Sequence, residues 1–142
     1  MIEKIKFCVE YKERHDLDVT VGLQMVLTPK DVNEAVPLAE LGRELGVDYL
    51  VIKHCSDTVE NSLGFYERLD DYHSFVPLLK EAESHSSGDY RVIVKWDKVT
   101  NEGHRDYDQC LGAPFLLYTE GTGKVYSCGM FFEGPYADDY LM

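Results

Sequence analysis

Residues 18–52 read DVTVGLQMVLTPKDVNEAVPLAELGRELGVDYLVI, and this stretch decides the fold. Its first ten residues carry apolar side chains on both faces, which is typical of a parallel β-strand covered by helices. The next segment predicts a helix with Thr28 as N-cap, followed by a proline, while Pro37 predicts a kink or a restart. Gly46 predicts the left-handed helix end, and residues 49–52 predict a second strand. Together these elements predict a right-handed βαβ unit.

The flanking residues extend the same alternation. Residues 2–17 carry a helical apolar stripe, and residues 71–83 predict a third helix that is strained at Pro77. Residues 90–96, YRVIVKW, predict a third strand, and residues 97–109 predict a polar linker. The pattern therefore predicts an α/β fold with about three parallel strands and their helices.

Composition excludes several classes of function. A formal net charge of -12 over 142 residues repels nucleic acid phosphates and anionic lipid, so we expect neither nucleic acid nor a membrane as partner. The sequence shows neither an apolar run that would span a bilayer nor a signal-peptide layout. The four cysteines are scattered rather than arranged as a disulfide framework, which favours a cytoplasmic location.

Polar residues follow the second predicted strand, where parallel sheets collect ligands. Lys53 and His54 are candidates for binding a carboxylate of a substrate or cosubstrate, with a solvated loop end as the alternative reading. Gln24, on the less apolar side of the first strand, is a candidate ligand donor or a hydrogen-bonded core amide. The sequence identifies no catalytic residue.

The second informative stretch runs from Cys110 to Cys128, CLGAPFLLYTEGTGKVYSC. Residues 115–119 and 124–127 predict two extended strands, joined by the turn-forming residues 120–123. Two thiolates at the ends of a hairpin suit a soft metal centre, but they supply half of the ligands that tetrahedral zinc or a four-iron cluster needs. The alternative is a pair of buried or incidental thiols.

The spacing of Cys110, Gly123 and Cys128 resembles the opening of the SPASM domain, the auxiliary-cluster module of many radical S-adenosylmethionine enzymes. The preceding βα alternation looks like the last strands of the barrel in that family. The resemblance implies a partial (β/α) barrel of about three parallel strands in residues 1–100. It implies a linker and a truncated SPASM-like module, with a β-hairpin carrying the two cysteines, in residues 101–142.

This resemblance implies that Cys110 and Cys128 ligate an auxiliary [4Fe-4S] cluster, and that Gln24, Lys53 and His54 lie near bound S-adenosylmethionine. In that family a 5′-deoxyadenosyl radical abstracts hydrogen from a peptide or small metabolite. The family's CxxxCxxC motif is absent from the printed sequence, so we expect a fragment that is inactive alone.

Two further expectations follow. A half barrel exposes a sheet edge at residues 19–27 or 92–96, which predicts a homodimer through that edge. The alternative function is that of a stand-alone α/β binding or interaction domain whose cysteines are incidental or bind zinc.

Overall fold

A computed structural model describes residues 1–55, 71–100, 109–132 and 134–142. The chain forms two compact units, Met1–His104 and Arg105–Met142, called here the α/β unit and the C-terminal unit. The described elements of the α/β unit are α1 (Ile2–Arg14), β1 (Gly22–Leu27), α2 (Ala35–Glu44), β2 (Tyr49–His54), α3 (Asp71–Ser74), α4 (Val76–Ser84), β3 (Arg91–Val94) and α5 (Trp96–Thr100). The predicted α/β class is confirmed.

The three strands form one parallel sheet in the order β1-β2-β3. Gly22 pairs with Tyr49, and Tyr49 pairs with Arg91, so the three strands start in one row. The predicted parallel sheet is therefore confirmed, although β1 and β3 are shorter than expected. In place of the end of the third strand and the start of the polar linker, Trp96 begins α5.

One face of the sheet forms the core. Leu27, Leu50 and Ile52 are fully buried on this face, where α2 and α4 pack with Ala39 and Leu79. On the opposite face, Gly22, Gln24 and Val26 of β1 are exposed. The expectation that helices cover both faces of β1 is therefore wrong for the described part of the chain.

The start of α2 differs from the prediction. Thr28 does not act as N-cap, because its hydroxyl donates to Asp31 Oδ2 (2.5 Å), and a 3₁₀ turn over Val32–Glu34 precedes the helix. Pro37 explains the shift, since it lacks the N–H that an α-helix begun at Thr28 would need there. With the helix starting at Ala35, Pro37 lies in the first turn, where backbone N–H groups have no helical acceptor.

The predicted left-handed residue at the end of α2 is confirmed. Gly46 has φ +71°, and its N–H donates to the Arg43 carbonyl (3.1 Å). The Val47 N–H donates to the Gly42 carbonyl (3.3 Å), which completes a Schellman motif. Likewise Pro77 divides the predicted third helix, because it lies at the second position of α4, directly after the short α3.

Asp48 joins three elements at the amino end of the sheet. Both of its carboxylate oxygens accept from Lys12 Nζ of α1, at 2.5 and 2.7 Å, and Oδ2 also accepts from the Val21 N–H at 2.6 Å. Its own N–H donates to the Val21 carbonyl, and its carbonyl accepts from the Arg91 N–H. The hydrogen bonds from Lys12 and then from the Val21 N–H lower the pKa of Asp48 below the usual aspartate value.

A close contact joins α2 to Tyr90, the residue before β3. Gly42 lies against the ring of Tyr90, and a Cβ at Gly42 would lie 2.4 Å from the phenol oxygen. That oxygen is buried and has no hydrogen-bond partner among the described residues. Burial raises the pKa of Tyr90, although the charge of Arg43 opposes the shift, so the phenol stays neutral at physiological pH.

The C-terminal unit is built on a short antiparallel pair, β4 (Tyr118–Thr119) with β5 (Val125–Tyr126). Gly123 at φ +88° allows the turn between them. Residues 140–142 lie along β5, because Ser127 and Met142 donate backbone N–H groups to Tyr140 and Val125. Aromatic contacts fill this unit, including those between Tyr118 and Phe132, Tyr126 and Phe132, and Phe131 and Tyr140.

Replacing Asp48 tests the junction at the amino end of the sheet. Asp48→Asn should lower the free energy of unfolding by about 1–3 kcal/mol at pH 7, because charge-assisted hydrogen bonds to Lys12 and Val21 are weakened. Since the folded pKa is lowered, this contribution is present above about pH 4 and is lost as the pH falls through the folded pKa. Urea unfolding at several pH values measures both effects.

Lys12→Met tests the ion pair with Asp48, and Lys6→Met is its matched control. Lys6 forms a wide, exposed contact with Glu3 (3.9 Å), so its replacement should change stability by less than about 0.5 kcal/mol. Equal losses in the two variants would contradict a structural role for the Lys12–Asp48 pair.

Gly42→Ala should destabilise the chain by about 1–3 kcal/mol, although alanine favours helices, because the new methyl meets the Tyr90 phenol. Tyr90→Phe alone should be close to neutral, since it removes a buried hydroxyl that has no described partner. In the double variant the loss from Gly42→Ala should shrink. Additive losses in a double-mutant cycle, measured by urea unfolding, would show that the two residues are not in contact.

Candidate functional site

The register of the sheet arranges the predicted site residues in rows across the strands. Gln24 pairs with Val51, which pairs with Ile93, while Val26 pairs with Lys53 one row closer to the carboxyl ends. Because alternate residues of a strand share a face, Gln24 and Lys53 lie on the same face, opposite the core. The structure therefore brings these two predicted residues together.

His54 lies on the other face of β2, since it pairs with the fully buried Leu27. Its ring is half-buried, and Nδ1 lies 2.7 Å from the Cys55 carbonyl oxygen. The Cys55 N–H donates to the Leu27 carbonyl, which continues the ladder past the end of β2. The sheet thus separates His54 from Lys53, and the prediction that both residues contact one ligand is not supported by this arrangement.

We call the exposed side of the sheet the open face. It consists of the outward residues of the three strands together with the residue that follows β3: Gly22, Gln24, Val26, Tyr49, Val51, Lys53, Arg91, Ile93 and Lys95. Each is exposed or half-buried. Three of them are cations and none is an acid, in a chain with 26 acidic and 14 basic residues.

Lys95 is a cation of the open face that no sequence motif marks. Its N–H donates to the Ile52 carbonyl (2.9 Å), so the ladder between β2 and β3 continues to this residue. Because Ile52 pairs with Val94, the next pair places Lys95 beside Lys53. In the sequence, Arg91, Ile93 and Lys95 alternate with the apolar residues of the third strand. Only the register of the sheet shows that Lys53 is the neighbour of Lys95 on β2.

The predicted cysteine pair lies in the C-terminal unit. Cys110 is exposed, Cys128 is half-buried two residues after β5, and both are free thiols. The Cys110 sulfur packs near Gly112, while the ring of Tyr118 packs against Gly129 beside Cys128. In the described ranges, no group of three or more His, Cys, Asp or Glu residues comes together that would hold a metal ion.

One sheet edge is already occupied. The outward N–H groups of Val92 and Val94 on β3 donate to Ser86 Oγ (3.0 Å) and Glu83 Oε1 (3.2 Å). The same carboxylate oxygen accepts from Trp96 Nε1 at 2.9 Å. Side chains thus satisfy the donors that another strand would use, so an edge-to-edge dimer would have to form along β1.

None of the helices within the described ranges combines the length and the apolar character that crossing a membrane requires. Comparison of the chain with models of known families, with curated proteins and with solved structures gives no match.

Glu83 offers a test of the occupied edge. Glu83→Ala should cost about 1–3 kcal/mol, because the buried Val94 N–H and the Trp96 indole lose a shared acceptor. Trp96 is the single tryptophan, so its emission should also change. Glu81→Ala, an exposed position on the same helix, is the control and should leave stability and emission unchanged. Unchanged emission in the Glu83 variant would contradict the indole contact.

Proposed function

We propose that this chain is the later part of the barrel and the opening of the auxiliary-cluster module of a radical S-adenosylmethionine enzyme. The parent enzyme abstracts hydrogen from a peptide or small metabolite, with S-adenosylmethionine as cosubstrate. The printed sequence lacks CxxxCxxC, so this chain alone is inactive. Its contribution is a wall of the substrate chamber.

The observation that carries the proposal is the open face of the parallel sheet. Helices cover only the core face within the described residues, while Gln24, in the middle of β1, and Lys53, near the carboxyl end of β2, lie on the open face. A barrel wall has this arrangement, because its outer face packs on helices and its inner face meets ligands. The same arrangement supports Gln24 and Lys53 as residues that contact the cosubstrate or substrate.

The position and the free state of the two cysteines also support the proposal. Cys110 and Cys128 lie in a separate compact unit that follows the sheet, and both thiols are free to ligate. They do not complete a [4Fe-4S] site, which takes four thiolates, and no described group of three ligands exists. The proposal therefore requires further ligands from other residues of the parent protein.

A stand-alone α/β binding domain is the second candidate function. The observation that favours it is the absence of a convergent ligand group among the described residues. In this reading the cysteines are incidental or bind zinc, and the open face binds a ligand or a partner without radical chemistry.

Sequencing the transcript on both sides of this chain separates the two candidates. The radical enzyme requires CxxxCxxC before the sheet and at least two more clustered cysteines after Cys128. Purified anaerobically, the extended protein should then lose about four irons per chain on Cys110→Ser or Cys128→Ser.

Cys8→Ser is the control, because Cys8 is also an exposed thiol but lies on α1, and it should leave the iron content unchanged. A transcript that lacks the upstream motif, or equal iron in all variants, would overturn the radical-enzyme proposal and leave the binding domain.

A further inference from the structure

We propose that the open face carries a binding site for a small dianion, a phosphate ester or a dicarboxylate, held by Lys53 and Lys95. The inference deepens the proposed function by naming the chemistry of the substrate, and it rests on that function only for the ligand's role as substrate. Binding of the anion is a property of this chain that is measurable on its own.

The pairing of β2 with β3 brings the two lysines close together. Adjacent strands lie about 4.8 Å apart, and the register places Lys53 and Lys95 side by side in one row. Both side chains leave the sheet on the open face, because Ile52 and Val94, which precede them, are buried on the core face. Two ammonium groups therefore reach the same region above the carboxyl ends of the strands.

The charges of the two lysines favour a bound anion. Like charges on neighbouring strands repel, so the pair is unfavourable unless an anion lies between them. Neither lysine forms an ion pair with a described residue, and the open face contains no Asp or Glu. The chain as a whole carries -12, which makes a cation pair without a neighbouring acid on this face unusual for its composition.

The residues around the lysine pair also favour a bound anion. Val26 completes the lysine row, and Val51 and Ile93 lie in the row below. These side chains provide an apolar floor, which strengthens the attraction between an ammonium group and an oxyanion. Gln24, in the same row as Val51, adds amide donors that suit phosphate or carboxylate oxygens.

The carboxyl ends of parallel strands are where α/β folds bind ligands, which agrees with the location of the pair. A nucleic acid is a poorer occupant than a small dianion, because the strong negative charge of the chain repels a polyanion. The two lysines match the two negative charges of one phosphate ester or dicarboxylate.

The test is a titration of the full 142-residue chain, labelled with ¹⁵N, with inorganic phosphate and separately with succinate at constant ionic strength. We expect saturable shifts of the Lys53 and Lys95 amides, with a dissociation constant on the order of 1 mM. Saturation by phosphate alone indicates a phosphate ester, and saturation by succinate alone indicates a dicarboxylate. Lys53→Met and Lys95→Met should each weaken binding about tenfold.

Two controls remove the same charge elsewhere. The controls are Lys80→Met and Arg91→Met. Lys80 lies on α4, and Arg91 lies on the open face but about 13 Å from Lys95 along the strand. Both should bind the anion within about twofold of the unchanged chain. Shifts that do not saturate with either anion, or equal weakening in all four variants, would overturn the site. The iron measurement on the extended protein is unaffected by these variants, so the two proposals fail independently.

Discussion

The interactions of Asp48 hold the amino end of the parallel sheet, and the remaining arrangement depends on the register they support. The carboxylate binds Lys12 of α1 and the Val21 N–H, while the backbone of Asp48 bonds Val21 and Arg91. A slip of one residue would turn every side chain of a strand to the other face. This junction and the apolar pattern of the strands therefore support the same register, in which Leu27, Leu50 and Ile52 enter the core.

Two different surfaces result from that register. The core face is fully buried at Leu27, Leu50 and Ile52, where helices α2 and α4 cover it, and the half-buried His54 lies at its carboxyl end. The open face carries Gln24 and the lysine pair, which a self-contained core would exclude. The proposed chamber wall and the alternative, the binding surface of a stand-alone domain, need the same chemistry, which is hydrogen-bond donors for a ligand at the carboxyl ends of strands.

Much of the fold could be predicted because its signals are local. The buried strands, Gly46 and the effects of Pro37 and Pro77 depend on periodicity and on backbone geometry within a few residues. The start of α2 was misplaced, since the Thr28 N-cap pattern competed with the proline nine residues later. The residues in this segment are compatible with a helix that starts after Thr28 and with one that starts shortly before Pro37.

The candidate site was harder to predict from the sequence, because it depends on contacts between residues that are distant along the chain. Lys53 and Lys95 are 42 residues apart, and their adjacency follows only from the pairing of β2 with β3. Lys53 and His54 were predicted to act together because they are consecutive in the chain. Consecutive residues of a strand, however, lie on opposite faces of the sheet.

The most direct test of the central claim is the register between β2 and β3, measured by nuclear Overhauser contacts in the labelled chain. The account predicts contacts of the Lys95 amide proton with backbone protons of Ile52 and Lys53, together with contacts between the Lys53 and Lys95 side chains. Contacts that pair Lys95 with His54 instead would place the two lysines on opposite faces and contradict the account.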